Sequence, residues 1–401
     1  MRCVGIIAEY NPFHNGHRYH IAEAKRLANA EAAVVIMSGD FVQRGEPAVA
    51  DKFTRAIWAL RSGADMVIEL PEVFSVACAE RFASGAVRIL AGSGLLDALC
   101  FGSESGDLGL LRKVSESEPD PNALRAALAL GQSYPKAMAS AGAAELGPND
   151  TLGLEYLRAV KKHSPSTEVF AIKRVGGAYD EGELNGEFSS AAAIRRALAP
   201  AADIGRMSER LFDSLNAALP RDVLSDIAEQ MRKGLCPALA ARLSDAVISR
   251  FRSMSAEEIA ALPEVAEGLE NLFIRHSVAE GDIDRMLSAV KSKRYTMARL
   301  KRISMSALLG ITEALQGAAA ADDGYLYARV LGMAKGAEGL ASRLVSGASI
   351  PVIMQAADRN ALGEKARSVL EKSALAHRLH ALARPYERGA DEDSSHRLTV
   401  V

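Results

Sequence analysis

Five short apolar segments, separated by stretches with helical character, dominate the first half of the chain. The apolar segments are Val4–Ala8, Ala33–Met37, Met66–Leu70, Ala98–Phe101 and Val169–Ile172, and the helical stretches are Gly16–Ala30, Asp51–Ser62, Cys78–Ala91 and Leu152–Lys162. Apolar runs without polar alternation are typical of parallel strands that are buried on both faces. The pattern therefore predicts an α/β fold with a Rossmann-like, doubly wound parallel sheet and a ligand at the carboxyl ends of its strands.

The pattern changes after Pro200, where helical periodicity takes over. It is clearest in Asp222–Lys233, Ala256–Leu262, Asp282–Lys291 and Ala298–Leu309, and a short strand-like segment follows at Ser349–Met354. A chain of 401 residues is also longer than a single core usually supports. We therefore predict two domains, residues 1–202 with the sheet and residues 203–401 mostly α-helical, and a frayed polar stretch at Ala390–His396.

Charge and composition narrow the classes of function. The net formal charge is −2 at pH 7, so binding to a nucleic acid would need a local basic patch. No apolar run reaches about 18 residues and the apolar start ends at Glu9, which predicts neither a membrane span nor a signal peptide. The cysteines Cys3, Cys78, Cys100 and Cys236 form no CxxC pair. We therefore expect a cytoplasmic protein without a disulfide or zinc scaffold.

The segment Glu9–His17 follows the first predicted strand, where a doubly wound sheet binds its ligand. Pro12 stiffens the turn, and Gly16 allows close approach of the backbone to a bound group. His14 and His17 are three residues apart, so in a first helical turn they share one face. A helix N-terminus attracts phosphate, and imidazoles there can stabilise the negative charge that builds up during displacement at phosphorus.

Other interpretations of this segment stay open on residue types alone. His14, His17 and His20 form an HxxHxxH pattern that could bind zinc, although this spacing turns around a helix and has no cysteine or acidic partner. The histidines could also be ordinary surface residues of a helix. A P-loop is absent, because the chain contains no GxxxxGK[S/T] motif. The order of strand, proline, histidine pair and helix start favours a phosphate site.

The tetrad His14-Asn15-Gly16-His17 resembles the HxGH signature of the nucleotidyltransferase and class I synthetase superfamily, which binds ATP at the first βα turn. The superfamily also has a second signature late in the domain, and Phe188–Arg196 resembles it. There Ser189 or Ser190 is a suitable helix N-cap, and Arg195 or Arg196 could neutralise the departing pyrophosphate. A capped helix with solvated arginines is the alternative for this segment.

Longer segments resemble the tRNA(Met) cytidine acetate ligase family. They are Glu9–His17, Met37–Ala48, Val67–Pro71, Phe101–Glu104, Pro148–Gly153, Lys173–Arg174, Glu267–Asn271 and Lys293–Leu300. The resemblance covers most of the chain and weakens after about residue 350. At Asp40 the sequence departs from the family pattern, where a histidine or an asparagine is more usual.

The resemblance implies an ATP-dependent ligase that activates acetate as acetyl-adenylate and releases pyrophosphate. The acetyl group would then pass to N4 of the wobble cytidine of elongator tRNA(Met), giving N4-acetylcytidine. Residues 1–202 would bind ATP and adenylate acetate, and residues 203–401 would bind the tRNA. The expected partners are elongator tRNA(Met) and acetate, without a membrane or DNA. Phosphate chemistry adds Mg²⁺ on the triphosphate, with no protein metal site expected.

The resemblance also assigns site residues. His14, His17 and Arg174 would be catalytic, and the ATP contacts would be Ile7, Ala8, Glu9, Tyr10, Asn11, Pro12, Phe13, His14, Asn15, Gly16, His17, Tyr19, His20, Gly102, Asn149, Arg174, Ser189, Ser190 and Arg195. From the residues alone, Gly102 could simply end a strand and Asn149 could form an Asx turn. Arg174 could be half of a surface charge pair with Lys173, but its place at the ligand edge favours a triphosphate clamp.

A basic stretch at residues 285–302 is the candidate RNA surface, with Lys293, Arg294, Arg299 and Arg302 as its proposed contacts. Tyr295 could stack on a base or anchor the helix. A solvated helix is the alternative, and Lys52, Arg55 and the loop around Arg44 are the alternative RNA or phosphate contacts. Two competing functions are a small-molecule adenylyltransferase of the same superfamily and a catalytically idle RNA-binding protein.

Overall fold

The computed structural model describes residues 1–116, 122, 123, 126, 146–175, 184, 186–266, 268–390, 393 and 396–401. Outside these residues lie Glu267 of one family-like segment and Asp391, Glu392, Ser394 and Ser395 of the polar C-terminal stretch. No helix within the described ranges combines the length and the apolar character that crossing a membrane requires.

An eight-stranded sheet forms the centre of the molecule. Its strands are β1 (Cys3–Ala8), β2 (Ala32–Ser38), β5 (Met66–Leu70), β6 (Ala98–Ser103), β7 (Glu168–Lys173), β8 (Ala328–Met333), β9 (Val352–Ile353) and β10 (Thr399–Val400). Their order is β10-β8-β5-β2-β1-β6-β7, with β9 also paired to β8. A separate hairpin consists of β3 (Phe41–Val42) and β4 (Glu46–Pro47). All five predicted strands are confirmed.

The topology places a ligand crevice at β1. The chain runs from β1 to β2 and β5 on one side and then returns to β6 and β7 on the other, and all these strands are parallel. The strand order therefore reverses at β1, and the carboxyl ends of β1 and β6 flank the point where such sheets bind their ligands. The doubly wound prediction is confirmed.

Helices cover both faces of the sheet and also form a separate group between residues 238 and 311. They are α1 (Asn15–Leu27), α2 (Lys52–Arg61), α3 (Glu72–Ser75), α4 (Ala79–Gly92), α5 (Leu108–Glu116), α6 (Pro148–His163), α7 (Ala191–Leu198), α8 (Glu209–Asn216), α9 (Arg221–Arg232), α10 (Ser244–Ser253), α11 (Ala256–Ala260), α12 (Leu269–Ala279), α13 (Ile283–Val290), α14 (Met297–Leu309), α15 (Glu313–Ala321), α16 (Glu338–Gly347) and α17 (Glu364–Ala381). In β2, Val34 and Ile36 belong to one core, and Val35 and Met37 belong to the other. Because successive side chains of a strand point to opposite faces, an all-apolar strand needs a layer on each side.

The region after residue 203 is mainly helical, as expected, but it also adds strands to the sheet. Strand β8 is fully buried and pairs antiparallel with β5, with Met333 opposite Met66. The whole sheet is therefore mixed: the strands predicted in the first 200 residues are parallel, as expected, and β8 from the later region is antiparallel to β5. Most of the helices between residues 238 and 311 pack instead around a third core of their own. The boundary at residues 202/203 stays a prediction, and the two regions share one sheet.

Candidate active site

The turn after β1 ends in a pair of histidines that cap α1. His14 is the N-cap residue, and its Nδ1 accepts a hydrogen bond from the Gly16 backbone N–H at 3.1 Å. The backbone N–H of His14 in turn donates to Nδ1 of His17 at 3.3 Å. The two rings stack with centroids 3.7 Å apart, so the histidines share one face, as their spacing predicts.

The hydrogen bonds define the tautomer of each ring. Because Nδ1 of each ring accepts a bond, a neutral ring carries its hydrogen on Nε2. Burial and the nearby Arg174 lower the pKa of His14 to about 3. Burial, together with the neighbouring His14 and Arg174, holds the pKa of His17 well below its usual value. Near neutral pH both imidazoles are uncharged Nε2–H donors at the start of a helix.

A third histidine lies one turn further along α1. Burial and Arg174 lower the pKa of His20 to about 4, so this ring is also neutral. Its buried Nε2 has no hydrogen-bond partner among the described residues. A buried polar atom without a partner costs free energy unless a ligand or water satisfies it, so His20 fits a bound group at this turn.

Some predicted ATP contacts of this turn are occupied inside the protein. The Asn15 backbone N–H donates to Ala218 O at 3.0 Å, and its side-chain amide donates to Ala217 O at 2.8 Å. Tyr10 is 1% exposed and packs against the His17 ring at 4.8 Å. These residues therefore position the turn, whereas Tyr19 is exposed on α1. Their contacts with ATP stay predictions.

The opposite wall contains three predicted residues from different elements. Arg174, which follows β7, donates from NH1 to Asn149 Oδ1 at 3.2 Å. A Cβ placed on Gly102 of β6 would lie 3.5 Å from Arg174 Cγ, so the arginine passes directly over this glycine. Asn149 is held by Glu104, which accepts its backbone N–H at 3.0 Å. The structure thus brings Gly102, Asn149 and Arg174 together, and the Arg174 charge acts on the histidines.

Helix α7, which overlaps the second signature Phe188–Arg196, borders the site. Ser190 is its N-cap and accepts the Ala193 backbone N–H at 3.1 Å, whereas the buried Ser189 donates to Gly186 O at 2.9 Å. Of the two serines, Ser190 is therefore the cap. Arg195 donates from NH1 to Asn11 O at 2.7 Å, which places its guanidinium on the turn.

The β3–β4 hairpin lies between this turn and α14. Its Gln43 backbone N–H donates to Glu9 Oε1 at 2.9 Å. Glu46 forms an ion pair with Lys301 of α14 and lies 3.7 Å from Arg195. Gly45 has φ +73, and a Cβ there would collide with the backbone of α14 at Lys301 and Arg302. The hairpin therefore joins the turn to the helical region, a contact that sequence periodicity did not reveal.

The four candidate RNA contacts do not share one solvent face. Lys293 and Arg294 are exposed. Arg302 is 8% exposed, and its Nε and Nη2 each donate to a Glu264 carboxylate oxygen at 2.6 Å. Arg299 donates to Glu264 O at 2.9 Å and lies 5.1 Å from the Tyr295 ring, which is itself buried. The guanidinium of Arg302 is thus occupied, and Tyr295 anchors the helix.

Lys52 and Arg55, the alternative RNA contacts, are not solvated helix charges. Both side chains are fully buried. Lys52 Nζ lies 2.6 Å from Glu69 Oε1 and 2.6 Å from Asp393 Oδ1. Arg55 donates to Glu9 O at 2.6 Å and to Ser38 O at 3.1 Å. Neither residue is available to an external phosphate, which corrects that alternative.

Lys52 is the centre of what we call the buried ion cluster, formed by Asp40, Lys52, Glu69, Glu72, Arg329, His377 and Asp393. Arg329 of β8 binds Asp393 at 2.6 Å and Glu69 at 3.2 Å, and His377 Nδ1 lies 3.0 Å from Asp40 Oδ2. Burial raises the pKa of Glu72 to about 8. Asp393 is therefore not frayed, contrary to the sequence prediction. No local signal could reveal a cluster whose members come from such distant positions.

Within the described ranges, no group of three or more His, Cys, Asp or Glu side chains is arranged to hold a metal ion.

Comparison with known proteins identifies the family. The model of the HIGH Nucleotidyl Transferase family matches residues 1–394. A tRNA(Met) cytidine acetate ligase of Acetivibrio thermocellus is 36% identical over 374 residues, 89% of each chain, and one of Caldanaerobacter subterraneus subsp. tengcongensis is 35% identical over 398 residues, 96% of each chain. Among solved structures, Thermotoga maritima TmcAL bound with alpha-thio ATP has a TM-score of 0.89 and 28% identity over the whole of both chains. Its apo form has a TM-score of 0.92. The chain belongs to the tRNA(Met) cytidine acetate ligase family of HIGH nucleotidyl transferases.

Proposed function

We propose that this protein is a ligase that forms acetyl-adenylate from acetate and ATP and transfers the acetyl group to N4 of the wobble cytidine of elongator tRNA(Met). The observation that carries the proposal is the pair of neutral Nε2–H donors of His14 and His17 at the start of α1, opposite Arg174. The names of the curated relatives and the ATP analogue bound by the Thermotoga maritima protein support it.

The first half-reaction needs charge neutralisation more than proton transfer. An acetate oxygen attacks the α-phosphorus of ATP, the bond to the β-phosphate oxygen breaks, and pyrophosphate leaves. Acetate is already an anion at neutral pH, so no base is required. The Nε2–H groups of His14 and His17 would donate to the phosphate oxygens as charge builds up, and Arg174 and Arg195 would balance the charge of the pyrophosphate. Neutral donors suit this role, because they can approach Arg174 without repulsion.

Mg²⁺ is proposed as part of the ATP substrate. The described residues contain no acidic cluster for it, so the triphosphate and water would supply its ligands. Arg174 and Asn149 would then bind the outer oxygens of the nucleotide.

In the second half-reaction the cytidine amine attacks the acetyl carbonyl carbon, the C–O bond to the adenylate breaks, and AMP leaves. We propose that residues 203–401 bring the tRNA to this point, while residues 1–202 hold the nucleotide. Lys293 and Arg294 are the exposed candidates for contacts with the RNA backbone. The hairpin, which contacts both the turn and α14, is where the two substrates would meet.

The test is mass analysis of tRNA nucleosides after incubation of the purified protein with ATP, isotope-labelled acetate and elongator tRNA(Met). We expect labelled N4-acetylcytidine and one AMP for each acetyl group. Acetate-dependent exchange of pyrophosphate into ATP without tRNA should accompany it. If pyrophosphate exchange depended on a small molecule other than acetate, and no labelled nucleoside formed, the protein would instead be a small-molecule adenylyltransferase.

A further inference from the structure

Acetyl transfer releases a proton that adenylation does not. When the cytidine N4 amine attacks the acetyl carbonyl, a C–N bond forms, the C–O bond to AMP breaks, and the nitrogen must lose one hydrogen as H⁺. We propose that the Glu9 carboxylate accepts this proton as the general base of the transfer step. The inference rests on the function proposed above and adds a catalytic role that the family resemblance does not assign.

Glu9 is held in place from two sides. It follows β1 directly, and its backbone carbonyl accepts a hydrogen bond from the buried Arg55 at 2.6 Å. Its side-chain Oε1 accepts the Gln43 backbone N–H at 2.9 Å. In the described part of the chain no donor reaches Oε2, and that oxygen is not sealed inside the protein. Glu9 therefore has one oxygen that fixes its orientation and one that can take a proton.

The neighbouring carboxylates are already occupied. Glu46 pairs with Lys301 through Oε1 and with Arg195 through Oε2 at 3.7 Å. Glu104 accepts the Asn149 N–H on Oε1 at 3.0 Å and the Asp150 N–H on Oε2 at 2.7 Å. Neither offers a vacant oxygen to an incoming amine.

The histidines are unsuitable bases for the same step. His14 and His17 use Nδ1 to accept hydrogen bonds, and Nε2 carries the hydrogen. With the pKa of His14 lowered to about 3, its imidazole has little affinity for a further proton. Their Nε2–H groups would donate to the phosphate oxygens, so another group has to accept the proton of the amine.

The charges around Glu9 suit a base. Burial raises the pKa of the Glu9 carboxyl, while Arg44 on the hairpin and Arg195 on α7 lower it, and Glu46 raises it. Two further groups face it, the Arg55 guanidinium from α2 and the Tyr156 hydroxyl from α6. A carboxyl whose proton affinity is increased is a stronger base than a solvated one, and the two arginines act in the opposite direction by favouring the ionised form.

Position also favours Glu9. The hairpin that donates to Glu9 packs its Gly45 against the backbone of α14, next to the candidate RNA segment. The nucleotide turn begins one residue later, at Tyr10. Glu9 thus lies between the adenylate and the side from which the cytidine would enter. After the transfer, the protonated carboxyl returns its proton to solvent.

The test compares the two half-reactions in the Glu9→Gln variant of the full chain. Glutamine keeps the oxygen that accepts from Gln43 and removes the base. We expect single-turnover transfer of labelled acetyl to tRNA to fall by about 10²-fold or more, and far more than acetate-dependent pyrophosphate exchange. The rate of acetyl transfer by the wild-type protein should also fall as the pH falls through the Glu9 pKa. The variant should not show this decrease at acidic pH. Glu31→Gln, which removes an exposed carboxylate before β2, is the matched control and should change neither rate.

Three outcomes would overturn the proposal. Glu9→Gln could transfer acetyl at the wild-type rate, it could lose pyrophosphate exchange and acetyl transfer equally, or its transfer rate could decrease at acidic pH as the wild-type rate does. Glu9→Asp, which restores a carboxylate one methylene shorter, should recover part of the transfer rate, and no recovery would also count against it. The proposed function fails separately, if the wild-type protein shows no acetate-dependent exchange or no labelled cytidine.

Discussion

The nucleotide turn after β1 and the buried ion cluster at β2 and β5 lie at the same edge of the sheet, and Arg55 links them by donating to both Glu9 O and Ser38 O. Both regions contain charged and titratable side chains. In the cluster, Lys52 is fully buried and its Nζ is bound by Glu69 and Asp393. At the turn, His20 Nε2 lacks a partner among the described residues, and Arg174 is exposed.

The difference lies in the ion pairs: the cations of the cluster are paired within the protein, although Glu72 Oε2 has no partner among the described residues, whereas the turn keeps donors available for a ligand. A buried charge without a partner is strongly destabilising, so the cluster has to satisfy its ions within the protein. A binding site must keep donors for its ligand and tolerate the cost while empty. Residue types alone do not separate the two regions, because Lys52 and Arg174 would each suit a phosphate. Their surroundings separate them, because Lys52 is bound by Glu69 and Asp393, whereas Arg174 is exposed.

The largest expected effect comes from breaking the cluster. Lys52→Met would remove one of the two cations that the buried carboxylates of Glu69 and Asp393 share and would leave Arg329 to balance both. We expect a loss of about 3–5 kcal/mol in the free energy of unfolding, measured by urea denaturation. Lys233→Met removes a lysine from an exposed pair with Glu229 and should stay close to wild type. If both variants unfold at the same urea concentration, the cluster does not stabilise the fold as argued.

The matching change at the turn should affect rate and spare stability. His17→Ala removes one Nε2–H donor but keeps the His14 cap, so acetate-dependent pyrophosphate exchange should fall by about 10²–10³-fold. Thermal unfolding should change little. The control is His276→Ala, which removes a half-exposed imidazole from α12. Near-normal exchange in folded His17→Ala would remove this histidine from the adenylation step.

A pH series sharpens the comparison within the cluster. The Glu72 pKa is raised to about 8 in the folded protein, so between the ordinary glutamate pKa and pH 8 the folded state holds a proton that the unfolded state releases. Its contribution to stability is therefore present in acid and is lost as pH rises through this window. Glu72→Gln should match wild type near pH 5 and become relatively more stable toward pH 8, by about 1.4 kcal/mol for each pH unit within this window. Urea midpoints from pH 5 to 8, with exposed Glu80→Gln as control, measure this, and parallel curves would contradict the assignment.

The smallest effect concerns charges that belong to neither region. The double variant Lys293→Ala with Arg294→Ala should bind tRNA more weakly. The slope of the logarithm of the binding constant against the logarithm of the salt concentration should decrease in magnitude by roughly 0.7–0.9 for each lost phosphate contact. Exchange without tRNA should stay unchanged, since these residues lie outside the turn. Lys161→Ala with Lys162→Ala removes two exposed charges from α6 and is the control. Equal slopes in the two double variants would place the RNA elsewhere.

The local sequence pattern was sufficient to predict the structure where the residues of one segment determine it. The run Met66–Leu70 is all apolar except Glu69, and it forms a strand with the predicted bounds. The order of strand, turn and histidine pair also predicted the start of α1, because each residue involved lies within a few positions of the next, whereas the role of His14 as the cap came from the structure. Arg174 and Asn149 followed from the family resemblance, and the structure places them in contact.

Pattern failed where distant segments decide the outcome. Strand β8 contains Arg329 and follows a long helical region, so nothing nearby indicates that it completes the sheet beside β5. Lys52 begins a helix and has the appearance of a solvated charge, but Asp40, Glu69 and Asp393 surround its ammonium in the fold. The availability of Glu9 Oε2 is likewise visible only once the hairpin has taken up its partner oxygen.

The late position of Asp393 has a consequence for synthesis of the chain. A ribosome makes Lys52 and Glu69 long before β8 and Asp393. Until then the nascent sheet has an open edge at β5 and an incompletely paired ammonium beneath it. The nucleotide half should therefore reach its final state after translation and not domain by domain, and a fragment cut at residue 202 should aggregate instead of binding ATP.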